Sequence, residues 1–168
     1  PYVLIGGLSF FDRREVRDIL AYLRLLVEPE DEASLLRIIN TPPRGVGAKT
    51  IETLVAKATE LGCPLWQVIS SDAGLAGLAP AARTGLKTLI SLINDFRQQT
   101  NYRPLDELAH GLIKSTRYED EIRRLYPDEQ EFESRWNSVQ EIVNALASYQ
   151  KTAAKPDLQR FIDDILLG

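Results

Sequence analysis

The 168-residue chain is 44% hydrophobic and 26% charged, with a net charge of −4 and a pI near 5.1. That composition fits an ordinary folded domain; its acidity excludes a surface coated with positive charge, so any contact with nucleic acid has to be local. A single cysteine, Cys63, excludes an intrachain disulfide and points to a reducing, cytoplasmic setting, and no apolar run approaches the ~18–20 residues of a membrane span, so no membrane partner is expected. With no initiator methionine, and no methionine elsewhere, the chain is expected to be an excised piece of a longer protein.

In chain order, residues 2–5 read as a short strand closed by Gly6-Gly7. Asp12-Arg13-Arg14-Glu15 has capping-box spacing with Asp12 as the cap. The helix it opens should run to about Val27, with Val16, Ile19, Leu20, Leu23 and Leu26 on one face. Pro29 stops that helix, Asp31 caps a second one reaching about Ile39, and Pro42-Pro43 end it. A third helix starts just after Gly47 and runs to Leu61, with Ile51, Leu54, Val55 and Ala58 inward and Gly62 as its stop. The same period continues over 64–69, 80–99, 104–113, 116–126, 129–149 and 157–167, placing Trp66 and Trp136 at core positions. Residues 70–78 and 151–156 read as flexible links. The expected fold class is all-α: an irregular multi-helix domain with a helix-hairpin-helix-like element and a short N-terminal strand.

No catalytic constellation emerges. His110, the only histidine, lies beside Leu108 and Leu112 with no second histidine or nearby cysteine to make a metal site. A Ser-His-Asp site would need that same histidine, and no Gly-x-Ser-x-Gly occurs. Asp163-Asp164 and Glu119-Asp120-Glu121 read as solvated acids. The chain has no Gly-x-x-x-x-Gly-Lys-[Ser/Thr] loop to cradle a nucleoside triphosphate.

The informative stretch is Arg44-Gly45-Val46-Gly47-Ala48-Lys49-Thr50. Two glycines around one apolar residue allow a tight bend whose amides approach a ligand closely. The following helix turns its unsatisfied N–H groups and positive dipole end toward the same spot, with Lys49 and Thr50 in its first turn. Such a bend suits a phosphate, and in a chain with no other evident chemistry it suggests sequence-independent binding to a DNA backbone. Local charge agrees: residues 37–57 carry Arg37, Arg44, Lys49 and Lys57 against Glu52 alone, whereas residues 117–135 set four arginines against seven acids. The same residues also fit a purely structural turn between helices. The chain would then be a protein-interaction or autoinhibitory module without direct DNA contact, its acidic 117–135 region the partner surface.

Read continuously, residues 2–50 resemble the superfamily 1 DNA helicases of the UvrD/Rep/PcrA type. The resemblance is carried by Gly6-Gly7-Leu8-Ser9-Phe10-Phe11-Asp12-Arg13-Arg14-Glu15-Val16-Arg17-Asp18 and Ala21-Tyr22-Leu23-Arg24, then by Arg37-Ile38-Ile39-Asn40-Thr41-Pro42-Pro43-Arg44-Gly45-Val46-Gly47. Arg17 stands where that block commonly has Lys, a charge-preserving change, and beyond Leu61 the likeness is one of helix pattern and length. The resemblance implies that residues 1–27 are an edge of the second RecA-like motor domain, 2A, and that residues 28–168 are most of the helical 2B subdomain inserted into it. In that family 2B swings between open and closed arrangements, touches the duplex ahead of the junction and can restrain unwinding. Arg44, Gly45, Val46, Gly47, Lys49 and Thr50 would then hold duplex backbone, while Gly6, Gly7, Ser9 and Arg13 would lie near the single-strand track. ATP and Mg²⁺ would serve the parent, between its motor domains, with no cofactor in this fragment. The implied partners are DNA, the parent's motor domains, and repair or replication proteins. On its own the chain is expected to be inactive as ATPase or helicase, and the strand at 2–5, deprived of its sheet, to be disordered or packed in a non-native way.

Overall fold

The computed structural model describes residues 8–167, and among them the chain is helical with no strand. The expected strand at 2–5 and the candidate residues Gly6 and Gly7 lie outside the described residues. A 3-10 turn, Leu8–Asp12, leads into α1 (Arg14–Val27). Asp12 is therefore not the cap of α1: the turn takes it up, Arg13 occupies the N-cap position without a side-chain cap, and Glu15 turns into the core. Glu28 ends α1, and Asp31 caps α2 (Glu32–Ile38) by accepting from the Ser34 amide at 3.3 Å. Arg24 holds this corner through Asp31 at 2.6 Å.

Beyond the bend come α3 (Ala48–Leu61), stopped by Gly62 at φ 64°, and α4 (Leu65–Ile69). The link expected at 70–78 contains one more helical turn, α5 (Asp72–Leu75), because the Ser71 hydroxyl accepts from the Gly74 amide and caps it. Pro80 opens α6 (Pro80–Gln99) from the first helical position, where its missing N–H does least harm. The next helix, α7 (Leu105–Thr116), runs three residues past its expected end before Arg117, in the left-handed region at φ 60°, turns the chain into α8 (Tyr118–Leu125). Asp128 caps α9 (Glu129–Thr152), and α10 (Leu158–Leu167) closes the described chain.

The first helix is the hub. It packs against α2, α6, α9 and α10, and α7 bridges α6, α8 and α9, while α3, α4 and α5 form a side layer joined through α2 and α6. The five apolar positions expected on its inner face are all buried, and so are Leu25, Ala21 and Tyr22, together with the acids Glu15 and Asp18. With apolar residues buried around so much of its girth, this helix runs through the core rather than lying on its surface. Helix α1 shares one hydrophobic cluster with the helices that follow it. Trp66 and Trp136 are half-buried against that cluster, Trp136 stacked on Phe132 with ring centroids 6.4 Å apart. His110 is exposed.

Candidate nucleic-acid interface

The bend between α2 and α3 is built around Asn40. Its side-chain oxygen accepts from the amides of Arg44, at 2.7 Å, and Val46, at 3.1 Å, folding residues 40–46 into a closed loop after the cis Thr41-Pro42 peptide. Val46 is fully buried and pins the loop to the core; burying a valine side chain is worth about 1.5–3 kcal/mol. Gly45 and Gly47, on either side of it, are exposed. Only Gly45 uses the freedom of glycine, at φ 81°. Gly47, at φ −78° and ψ 175°, has an ordinary extended backbone. What Gly47 contributes is the absence of a side chain: at the N-cap it supplies no oxygen, so the first-turn amides of α3 have no side-chain cap. Gly47, Ala48 and Lys49, at this helix start, are all exposed.

The cationic surface differs from the sequence expectation. Arg44 turns inward: its guanidinium donates to the carbonyls of Ile38 and of Ile39 (3.1 Å), closing the end of α2, and to the Tyr22 hydroxyl at 2.8 Å. Arg37 pairs with buried Asp18 at 2.8 Å, and Lys57 donates to the Gly74 carbonyl at 3.1 Å. Each of these charges satisfies buried or terminal oxygens, which a basic count along the sequence does not register. Lys49 is left exposed, with no side-chain partner among the described residues, and Thr50 is half-exposed beside it.

The other candidates fall elsewhere. Ser9 is exposed in the 3-10 turn. Arg13 donates to Ser138 on α9 at 2.7 Å and lies over the Phe10 ring at 5.4 Å. Arg13 stands nine residues before Tyr22, the residue of α1 that meets the bend, or roughly 13 Å along a helix axis. The structure therefore does not gather Ser9 and Arg13 with the bend.

Two residues from other helices frame the bend, a role the sequence does not assign to them. Tyr22, fully buried, donates its hydroxyl to the Thr41 carbonyl while accepting from Arg44. Burial, the leading effect, pushes its hydroxyl pKa up even against the Arg44 charge, so it remains a donor. Gly85, inside α6, sits directly under the loop: a Cβ there would lie 2.1 Å from the Arg44 carbonyl oxygen. A glycine in the middle of a helix costs about 1 kcal/mol relative to alanine, and that cost was the available signal.

The fold and this bend define an all-helical module with an uncapped, glycine-flanked helix start on its surface. The whole chain, residues 1–168, matches the UvrD-like helicase C-terminal domain, and the chain belongs to that family of superfamily 1 helicases. It is 30% identical over 166 residues to the ATP-dependent DNA helicase PcrA of Bacillus subtilis, covering 99% of this chain and 22% of that protein. It is 36% identical over 153 residues to DNA helicase II of Haemophilus influenzae, covering 90% and 20%, and 30% identical over 160 residues to DNA helicase II of Escherichia coli, covering 94% and 22%. The chain thus spans about a fifth of the length of the curated relatives it matches.

Proposed function

We propose that this chain is an accessory, duplex-engaging and regulatory subdomain of an ATP-dependent 3′→5′ DNA helicase, corresponding to most of 2B with an edge of 2A. The observation that carries the reading is the uncapped first turn of α3 behind exposed Gly45 and Gly47, with Lys49 beside it. Amides, a helix dipole and one mobile ammonium can hold a phosphate without reading bases. Arg44 and Val46 act from beneath, keeping the loop rigid so that the amides are already placed when a phosphate arrives. Thr50 offers a hydroxyl at the same helix start. Ser9 and Arg13, with Gly6 and Gly7, belong in this reading to the parent's single-strand track.

ATP and Mg²⁺ would be bound by the parent's motor domains, outside these residues, and would supply the driving reaction there. This chain's own residues would bind, orient and restrain DNA and, in the cytoplasm, meet the motor domains and repair or replication proteins.

The test is a titration of the 168-residue chain with a short duplex at two salt concentrations. Non-specific binding in the range of roughly 10⁻⁴–10⁻⁶ M, weakening as salt rises, is expected. Lys49→Ala should lower affinity alike on all sequences and reduce the salt slope by about one. No wild-type binding, or an unchanged isotherm for the variant, would remove the bend from a DNA site.

A second reading has its own support. Because Arg37, Arg44 and Lys57 are committed inward, the cationic surface at the bend is small. The exposed acids Glu119, Asp120, Glu129, Glu131 and Glu133 of α8 and α9, of which Asp120 pairs with Arg117 and Glu129 with Arg123, would be the alternative charged face. Stable capture of a protein through that face, without duplex binding, would favour a protein-interaction or autoinhibitory module.

A further inference from the structure

The bend does not float free on its two helices; it rests on a third. Besides the close approach at Gly85, a Cβ at Gly45 would lie 3.3 Å from the Ala81 side chain. Arg44, Pro80, Ala81, Thr84, Gly85 and Thr88 together line a shallow cleft where the loop meets α6. The main chain of Arg44 is thus held between its own guanidinium, anchored to α2 and α1, and the bare backbone of α6.

We infer that Gly85 is a positioning residue of the candidate DNA site: by admitting the Arg44 carbonyl onto α6, it sets the height and tilt at which the Gly45–Gly47 amides meet a phosphate. The inference rests on the proposed duplex binding and deepens it. A methyl at 85 collides with a main-chain oxygen, not with the movable end of a side chain, so the loop has to shift. Alanine is at the same time the better helix former, so α6 itself is not weakened. Binding geometry and helix stability should therefore part company in one variant.

The experiment compares duplex affinity, salt slope and melting temperature for wild type, Gly85→Ala, Lys49→Ala and the double variant. Gly85→Ala should bind about tenfold more weakly with a shallower salt slope, and Lys49→Ala should have little further effect in its background, because contacts made by one displaced loop are lost together. Unchanged affinity, or full additivity of the two substitutions, would overturn the inference. Should Gly85→Ala fail to fold, Ala81→Val presses on Gly45 from the same platform and should weaken binding several-fold; no effect there overturns the inference equally. If the wild type itself does not bind duplex, the proposed function has failed. If it binds and responds to Lys49→Ala but not to Gly85→Ala, only the positioning role has.

Discussion

Tyr22 shows how much of the bend is decided by single atoms. Its hydroxyl ties two residues of the loop to α1, donating to the Thr41 carbonyl and accepting from Arg44. Tyr22→Phe keeps the buried ring and removes only that oxygen. The Thr41 carbonyl and one guanidinium N–H then lose their partner in a half-buried place, which costs about 1–3 kcal/mol. Urea unfolding of the variant should show a loss of that size, and a loss below about 0.5 kcal/mol would mean that water replaces the hydroxyl. The contrast with Lys49 follows from the same reasoning. An exposed lysine with no side-chain partner among the described residues can be removed at little cost to stability, whereas Arg44, five residues earlier, closes α2 and braces the loop. Removing both together would confuse binding with folding, so the two are informative only apart.

At the scale of elements, α3 pairs a left-handed glycine C-cap with an N-terminus that, like those of α1, α4, α6, α7 and α8, has no side-chain cap. Gly62 closes it in the left-handed region, the common end of a helix. At the other end, where Ser, Asp or Asn would be usual, Gly47 caps nothing. Its backbone is extended and a Cβ there meets no atom within 4 Å, so a larger residue fits without strain. Gly47→Asp should therefore cap the helix and interact with its dipole, stabilising the chain by about 0.5 kcal/mol. The same carboxylate would fill the place proposed for a phosphate and repel it. The expected result is a variant that melts slightly higher and binds duplex at least tenfold more weakly, read by thermal denaturation beside a titration. Unaltered affinity would place the phosphate elsewhere. The start and end of α3 were legible in the sequence because glycine next to a helical period is a local signal. The support of the bend by α6 was not, since what forbids a side chain at Gly85 is a carbonyl 41 residues earlier.

For the whole molecule, the helices were readable because apolar spacing is written along the chain, while the polar ties between them were not. Glu15 enters the sequence as the last member of a capping-box spacing, and nothing local marks it or Asp18 for burial. Both are buried: Asp18 meets Arg37 from α2 and Tyr118 from α8, whereas Glu15 has the Arg135 guanidinium of α9 at 3.6 Å and no hydrogen bond to either carboxylate oxygen among the described residues. Asp18 gives this arrangement a measurable signature. Burial, the largest effect, raises its carboxyl pKa above the usual 3.8, outweighing the Tyr118 hydrogen bond and the Arg37 charge that lower it. Between 3.8 and the raised value the folded chain holds more protons than the unfolded one, so Asp18's contribution to stability grows as pH falls through that window and levels off below 3.8. Asp31 works in the opposite sense: burial opposes the shift, but the Arg24 and Ser34 hydrogen bonds keep its pKa low, and its contribution is lost only as pH drops below 3.8. Comparing wild type with Asp18→Asn by urea unfolding between about pH 7 and pH 4 cancels Asp31 and the surface acids, which both chains share. The wild type should gain on the variant steadily as the solution is acidified. A difference that stays flat, or shrinks, would mean that the ion pair with Arg37 outweighs burial, and that the centre of this core is held by charge more than by packing.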